Sequence, residues 1–300
     1  MRITVLGTGA LACLFGARLA RRADVVLLGA WRAGIAAIQR EGIRIESAEG
    51  ETRVRVRATA DALDAGDADL VLVLVKSWQT GRAVQQAGRV LRNDGLALTL
   101  QNGLGNYEAL ADAVGESRAA LGVTTQGAAL LEPGRIRYAG GGDTLLGFNS
   151  ANEGSVRRVA ELLQAAGFST QVTGEIAAAL WGKLAVNAGI NPVTALLGVA
   201  NGALLERADA EALMVAAAQE AAAVAAARGI ELAGDAAARV REVARLTAAN
   251  RSSMLQDVTR GAPTEIDAIS GAVVRAGQQL GVPTPVNEVL WRLVRAVREA

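Results

Sequence analysis

The sequence predicts a doubly wound α/β domain with a mostly parallel sheet, followed by an all-helical domain. Short, continuously apolar runs at residues 70–75 and 96–100 alternate with helical segments in the first half. That is the pattern of strands buried on both faces of a parallel sheet. After about Val172 the strand patterns stop, and long alanine- and leucine-rich stretches follow. The length, 300 residues, exceeds the usual size of one core. Two domains are therefore expected, at residues 1–172 and 173–300.

Residues 2–6 form a β-rich run that ends in Gly7-Thr8-Gly9, and residues 10–21 have helical composition. Residues 25–28 read as a second strand and residues 35–40 as a helix. The stretch 42–58 alternates strictly, as in Arg53-Val54-Arg55-Val56-Arg57. It predicts a half-exposed strand in a hairpin turning near Glu49-Gly50. Residues 119–147 give further short strands, and 155–166 a helix. Helices are then expected at 175–197, 209–228, 235–255, 263–280 and 286–299. Asp209, Asp235 and Thr264 stand near starts, and Gly229 and Gly281 at ends.

Bulk properties exclude several functions. With 31 basic and 30 acidic residues, the chain has no field to attract nucleic acid or an anionic membrane. The lone cysteine, Cys13, excludes a disulfide framework and fits a reducing cytoplasm. Without histidine or a cysteine cluster, no metal site is expected. No segment approaches the ~20 uninterrupted apolar residues of a membrane span; the most apolar stretch, 212–227, is broken by Gln219 and Glu220. Arg2 and the apolar run 3–17 resemble a signal peptide, but Gly7 and Gly9 interrupt it and cleavage would remove the first strand. A cytoplasmic protein is expected.

The first motif with chemistry is Gly7-Thr8-Gly9-Ala10-Leu11-Ala12, a G-x-G-x-x-A between a strand and a helix. Gly7 permits the tight turn, Gly9 lets backbone approach a pyrophosphate, and Ala12 allows close helix–strand packing. The helix N-terminus favours the anion. This predicts a Rossmann-type dinucleotide-binding domain. An NAD enzyme usually ends its second strand with an acid that holds the ribose hydroxyls. Here that end reads Leu28-Gly29-Ala30-Trp31-Arg32. The acid is missing, and Arg32 can pair with a 2′-phosphate, which points to NADP(H).

Only Lys76 and Lys183 are lysine among the 31 basic residues. Arginine stays protonated, whereas lysine can have its pKa lowered and can deliver a proton. Lys76 follows the run 70–75, at the carboxyl end where doubly wound folds bind ligands. Lys183, Asn187 and Asn191 fall at i, i+4 and i+8 of an otherwise apolar helix, so they share one face. Such a buried stripe needs partners, either a substrate carbonyl and carboxylate or polar groups of another helix. Gln101-Asn102-Gly103 follows the run 96–100 at the carboxyl end of the sheet. Residues 250–257 and Thr264-Glu265-Ile266-Asp267 add hydroxyls and carboxylates, and alone would pass for a helix end and an N-cap.

Taken together, the chain resembles the ketopantoate reductases (2-dehydropantoate 2-reductases) over essentially its whole length. The resemblance lies in residues 3–11, Val75-Lys76-Ser77-Trp78-Gln79, residues 101–105, residues 180–187, Ile190-Asn191-Pro192-Val193-Thr194, Asn201-Gly202, residues 252–257 and residues 264–267. It implies that Gly7, Thr8, Gly9, Ala10, Leu11 and Ala12 hold the pyrophosphate, with Arg32 and Lys76 near the adenosine phosphate. Asn102 and Ala128 would line the nicotinamide side, and Glu265 would approach both cofactor and active site. Lys183 would be the general acid. Asn187, Asn191, Asn201 and Ser253 would contact substrate, with Asn250 nearby. The sequence departs from the family in its third motif glycine, here Ala12, and in the spacing of residues 29–32.

The expected reaction is hydride addition to C2 of a small 2-oxo acid. Negative charge then develops on the carbonyl oxygen, where a protonated Lys183 would stabilise it and deliver the proton. The resemblance also admits another bulky 2-oxo acid as substrate, or a non-catalytic NADP(H) sensor. A homodimer stays open.

Overall fold

The computed structural model of the chain describes residues 1–297. It comprises two compact units: Met1–Gln101 with Asn106–Ile176, and Asn102–Gly105 with the chain from Ala177 onward.

In the first unit β1 (Arg2–Leu6) leads into α1 (Ala10–Leu19), β2 (Asp24–Leu28) and α2 (Arg32–Glu41). The hairpin follows as β3 (Ile43–Ser47) and β4 (Gly50–Val54), with Ser47 opposite Gly50. Next come β5 (Arg57–Thr59), α3 (Ala62–Ala65), β6 (Ala68–Val73), α4 (Thr80–Val90), β7 (Leu91–Thr99) and α5 (Asn106–Val114). Then β8 (Ala119–Thr124), β9 (Gly127–Glu132), β10 (Arg135–Gly140), β11 (Thr144–Gly147), α6 (Glu153–Ala165) and β12 (Thr170–Thr173) complete it.

Eight strands form one sheet in the order β12-β11-β8-β7-β6-β1-β2-β5. All its neighbours are parallel except β11 with β8. Successive strand side chains point to opposite faces. Thus Leu70 and Leu72 of β6 enter the core with α1 and α6, while Val71 and Val73 enter the core with α4 and α5. Both faces are covered, which is why the run 70–75 carries no polar position. Phe15 and Phe168 stack at 4.2 Å within the first core.

The hairpin does not extend this sheet. It belongs to a second, four-stranded sheet, β4-β3-β10-β9, in which β3 pairs with β10 in parallel. Its arginines have local tasks. Arg53 and Arg55 donate to the carbonyls of Glu41 and Arg40, the orphaned acceptors at the end of α2. Arg135 and Arg137 pair with Glu46 across the sheet.

The second unit contains α7 (Ile176–Leu197), a short 3₁₀ turn at Asn201–Leu204, and α8 (Ala208–Ala227). These are followed by α9 (Ala236–Leu246), α10 (Ser253–Thr259), α11 (Ser270–Leu280) and α12 (Pro285–Val297). No strand occurs among its described residues. The helix expected over 235–255 is two helices. The chain between them is drawn aside by bonds from Asn201 N to Asn250 O and from Gly202 N to Ala248 O, both 3.0 Å. The helix expected from 263 starts at Ser270, so Thr264 is not its cap. Asp209 lies inside the first turn of α8 rather than at its N-cap, which is Arg207. Asp235 does cap α9, accepting from Ala238 N at 2.7 Å.

One expectation about membranes needs correction. By length and composition α8 is apolar enough to cross a membrane, despite Gln219 and Glu220. Here its Ala217, Ala218, Ala221, Val224 and Ala225 are fully buried in the helical cores. The Glu220 carboxylate accepts from Val286 N and Asn287 N, each at 2.8 Å, and so satisfies donors at the start of α12. Gly189 of α7 lets the helices meet closely, since a Cβ there would lie 2.6 Å from the Met214 carbonyl oxygen.

Candidate active site

In the first unit the glycine turn is built for close backbone approach. Gly7 has φ +124°, and a Cβ on it would stand 3.1 Å from the Leu74 carbonyl oxygen. Gly7 N donates to Leu28 O at 2.8 Å, and Leu74 N to Leu6 O at 3.0 Å. The turn is thereby fastened to both neighbouring strands. Thr8 is buried against Gly29, where a Cβ would meet Thr8 Cγ2 at 3.1 Å. Gly9 is the N-cap of α1, without a side-chain cap, and the position of its missing Cβ faces open space. The first-turn N–H groups of Ala10, Leu11 and Ala12 have no partner inside the helix. Ala12 is fully buried beneath them. An uncapped helix start beside a side-chain-free cradle fits a pyrophosphate.

In the sheet, β2 and β6 flank β1, so the loops that follow them leave on either side of this turn. Arg32 is the exposed first residue of α2, one position after Trp31. Lys76 is half-buried and precedes a 3₁₀ turn at Ser77–Gln79. Ala128 lies elsewhere, near the start of β9 opposite Tyr138 and half-buried against the α1-side core. Cys13, buried under the turn, has its thiol pushed up to about 12 by desolvation, so it supplies no nucleophile.

Sequence reasoning noted Gln101 but gave it no task, and it passed over Thr80, Thr99 and Asn106. Gln101 Nε2 donates to Val75 O at 3.0 Å and Thr80 Oγ1 at 2.8 Å, while its Oε1 accepts from Thr99 at 3.0 Å. Thr80 in turn donates to Asn106 Oδ1 at 2.8 Å. This buried chain ties the loop carrying Lys76 to the end of β7 and the start of α5. The signal was present in the buried-looking glutamine after the run 96–100, but its partners are set by tertiary packing.

The second unit gathers most of the remaining candidates. Lys183 and Asn187 are half-buried on α7, and Asn191 is buried one turn further on. Glu265, 5% exposed, accepts from Asn102 Nδ2 at 3.2 Å. Leu104 N donates to Ala268 O at 3.0 Å and holds the Asn102 segment in place. Desolvation lowers the Lys183 ammonium from its ordinary 10.5 to about 8, and the Glu265 charge opposes that fall. The amine can thus be charged near neutrality yet release a proton readily.

Further bonds fix the substrate-side candidates. Thr194 Oγ1 lies 2.8 Å from Ile190 O and 2.7 Å from Ser252 Oγ. Ser252 caps α10 by accepting from Leu255 N at 3.1 Å, which sets Ser253 as the first helical residue. Asn201 Nδ2 donates to Thr247 Oγ1 at 2.9 Å, and Thr247 donates to Val243 O. Asn201 Oδ1 is buried without a hydrogen-bond partner among the described residues. Asn250 is exposed and contributes its backbone carbonyl to Asn201. Among the described residues no group of three metal-ligating side chains occurs.

The coupling of Lys183 to Glu265 has a measurable consequence. Glu265→Gln removes the charge that sustains protonation, so the alkaline fall in kcat/KM of a reaction that draws its proton from this amine should move from about pH 8 to lower pH. A profile unchanged in position would show that the carboxylate does not act on the amine. Stability follows the opposite course. Because the folded pKa lies below the unfolded one, the unfolded chain binds more protons between pH about 8 and 10.5, and stability rises across that window.

An α/β unit whose glycine turn fits a pyrophosphate and a helical unit with a desolvated lysine under the influence of a carboxylate are features expected of a pyridine-nucleotide-dependent reductase. Comparison with known proteins makes this specific. The family model described as "Ketopantoate reductase PanE/ApbA" matches residues 3–151, and "Ketopantoate reductase PanE/ApbA C terminal" matches 175–298. The 2-dehydropantoate 2-reductase of Halobacterium salinarum is 42% identical over 299 residues, covering 98% of each chain. The crystal structure of a PanE/ApbA family ketopantoate reductase from Ralstonia eutropha JMP134 superposes with a TM-score of 0.91 at 33% identity, covering 100% of this chain and 99% of that one. A ternary structure of D-mandelate dehydrogenase with NADH and anilino(oxo)acetate gives 0.95 at 26% identity, with the same coverage. The chain belongs to the ketopantoate reductase family.

Proposed function

We propose that the chain reduces 2-dehydropantoate (ketopantoate) to pantoate with NADPH, in pantothenate and coenzyme A biosynthesis. The observation that carries this reading is Lys183, tuned by burial and Glu265, in a chain 42% identical to a 2-dehydropantoate 2-reductase along its length. NADPH, when bound, supplies the hydride. Residues 1–172 bind the nucleotide and residues 173–300 the substrate. Gly7, Thr8, Gly9, Ala10, Leu11 and Ala12 hold the pyrophosphate; Arg32 and Lys76 pair with the 2′-phosphate; Asn102, Ala128 and Glu265 border the nicotinamide.

Lys183 Nζ hydrogen-bonds the C2 carbonyl oxygen, stabilises the charge that develops there, and gives up its proton to form the alcohol. Asn187, Asn191 and Ser253 orient the carboxylate and hydroxyl ends, with Asn250 alongside. Asn201 offers a buried acceptor without a partner among the described residues, which a substrate hydroxyl would satisfy. The protein works as a soluble cytoplasmic enzyme on a small 2-oxo acid, without nucleic acid, membrane or metal, as a monomer or homodimer. A second reading is a related aromatic 2-oxo acid with NADH, favoured by the likeness to D-mandelate dehydrogenase. Comparing kcat/KM for ketopantoate and phenylglyoxylate separates the two.

Cofactor choice gives a further test. One charge-assisted pair to the 2′-phosphate contributes roughly 1.5–3 kcal/mol, or about ten- to a hundredfold. Arg32→Ala should weaken NADPH by that factor in calorimetry and leave NADH unchanged. Equal affinities of the unaltered protein for both nucleotides would remove the NADP(H) assignment.

A further inference from the structure

Aromatic residues are only 3% of the chain, and four of them are tryptophan. Trp181 is buried, and Trp291 is partly covered and donates to Asp267 at 2.7 Å. The other two are exposed: Trp31 by 39% and Trp78 by 53%. Both sit beside a cation already described, as Trp31-Arg32 and Lys76-Ser77-Trp78. Trp31 lies three residues beyond the last residue of β2, and Trp78 five beyond that of β6. Those strands pair with β1 on its two sides, Leu28 and Val73 both opposite Leu6. The indoles therefore leave the same sheet edge, on either side of Gly7.

Trp31 is also held in one place. Its ring lies against the backbone of Gly34, where a Cβ would come within 2.4 Å of Cε3, 2.9 Å of Cζ3 and 3.0 Å of Cδ2. Any residue but glycine would push the ring away. Packing against a buried glycine holds the exposed indole in one orientation. A flat, preorganised aromatic face loses little entropy when a planar ligand stacks on it.

We infer that Trp31 and Trp78 are the base-stacking walls for the purine of the nucleotide's adenosine half. The assignment rests on the reading of this edge as the dinucleotide site. It places the adenine between two indoles while Arg32 and Lys76 take the 2′-phosphate. Recognition of the adenosine half is then split between ring faces, which read any purine, and cations, which read the phosphate.

The test uses adenosine 2′,5′-bisphosphate, which lacks the nicotinamide and so reports on this half alone. The intact protein should bind it with quenching of tryptophan emission, and calorimetry should give the same affinity. Stacking on one aromatic side chain is worth about five- to 150-fold per base. Trp31→Ala and Trp78→Ala should each weaken the bisphosphate by a factor in that range, and Trp31→Phe should restore most of the loss. Gly34→Ala is the decisive variant. It favours the helix and leaves both indoles in the sequence, yet should weaken binding by displacing the ring, with no loss of thermal stability. Unchanged affinity in Trp31→Ala and Gly34→Ala, with normal NADPH binding, would overturn the stacking assignment and leave the nucleotide site standing. Failure of the intact protein to bind either nucleotide would overturn both.

Discussion

Lys183→Ala should leave the fold and NADPH affinity nearly intact while kcat for 2-oxo acid reduction falls by about 10²–10⁴, the range that general acid catalysis supplies. The alternative role, polar pairing between helices, predicts a different pattern: a lower Tm, with activity falling only as folded protein is lost. The structure sharpens the contrast. The desolvated ammonium costs stability below about pH 8, so removing it should not destabilise the protein at neutral pH. A large drop in Tm with unchanged kcat per folded molecule would reverse the assignment. Lys183→Arg separates charge from proton delivery. A guanidinium keeps the positive charge but holds its proton far more tightly. Its kcat should remain low, and the alkaline limb near pH 8 should vanish. Activity close to the unaltered protein would show that charge alone suffices.

The second large effect is expected at Gly103. Its φ is +85°, and a Cβ there would lie 2.3 Å from the Ala268 carbonyl oxygen, a clash with backbone that no rotamer change relieves. Gly103→Ala combines a left-handed penalty of about 1–2 kcal/mol with loss of the Leu104–Ala268 bond, about 1–3 kcal/mol more. It also moves Asn102 away from Glu265. Denaturant melts should show a loss of about 2–5 kcal/mol, and the folded remainder should have lower kcat/KM. Gly105→Ala is the control. That residue has a similar φ, +89°, but open space around it, so only the conformational penalty applies. Equal losses in the two variants would mean that the approach to Ala268 is unimportant.

What could be read from the sequence follows the range of the forces involved. The glycine turn was legible because its chemistry is local: Gly7, Gly9 and Ala12 each meet a backbone requirement within a few residues. The stripe of Lys183, Asn187 and Asn191 was legible from helical spacing alone. The pairing of Asn102 with Glu265 spans 163 positions, and only the resemblance to a family brought those two residues near one site. The hairpin turn near Glu49-Gly50 was visible, but not that β3 would pair with β10, some ninety residues away. The helix break at 247–252 was hidden because the Ala- and Arg-rich run 236–246 leads into it and favours helix. Backbone bonds to Asn201 and Gly202 override it. Thr264 had the residue type of an N-cap, yet the chain from Glu265 to Ile269 forms irregular turns before α11 begins.

The most direct test of the central claim is a coupled measurement with purified protein, NADPH and ketopantoate. NADPH absorbance should fall with one pantoate formed for each NADPH consumed. The kcat/KM should exceed that for phenylglyoxylate or for smaller 2-oxo acids, and the same assay with Lys183→Arg should be nearly silent. Tight NADPH binding without turnover of any 2-oxo acid, or full turnover by Lys183→Arg, would contradict the account.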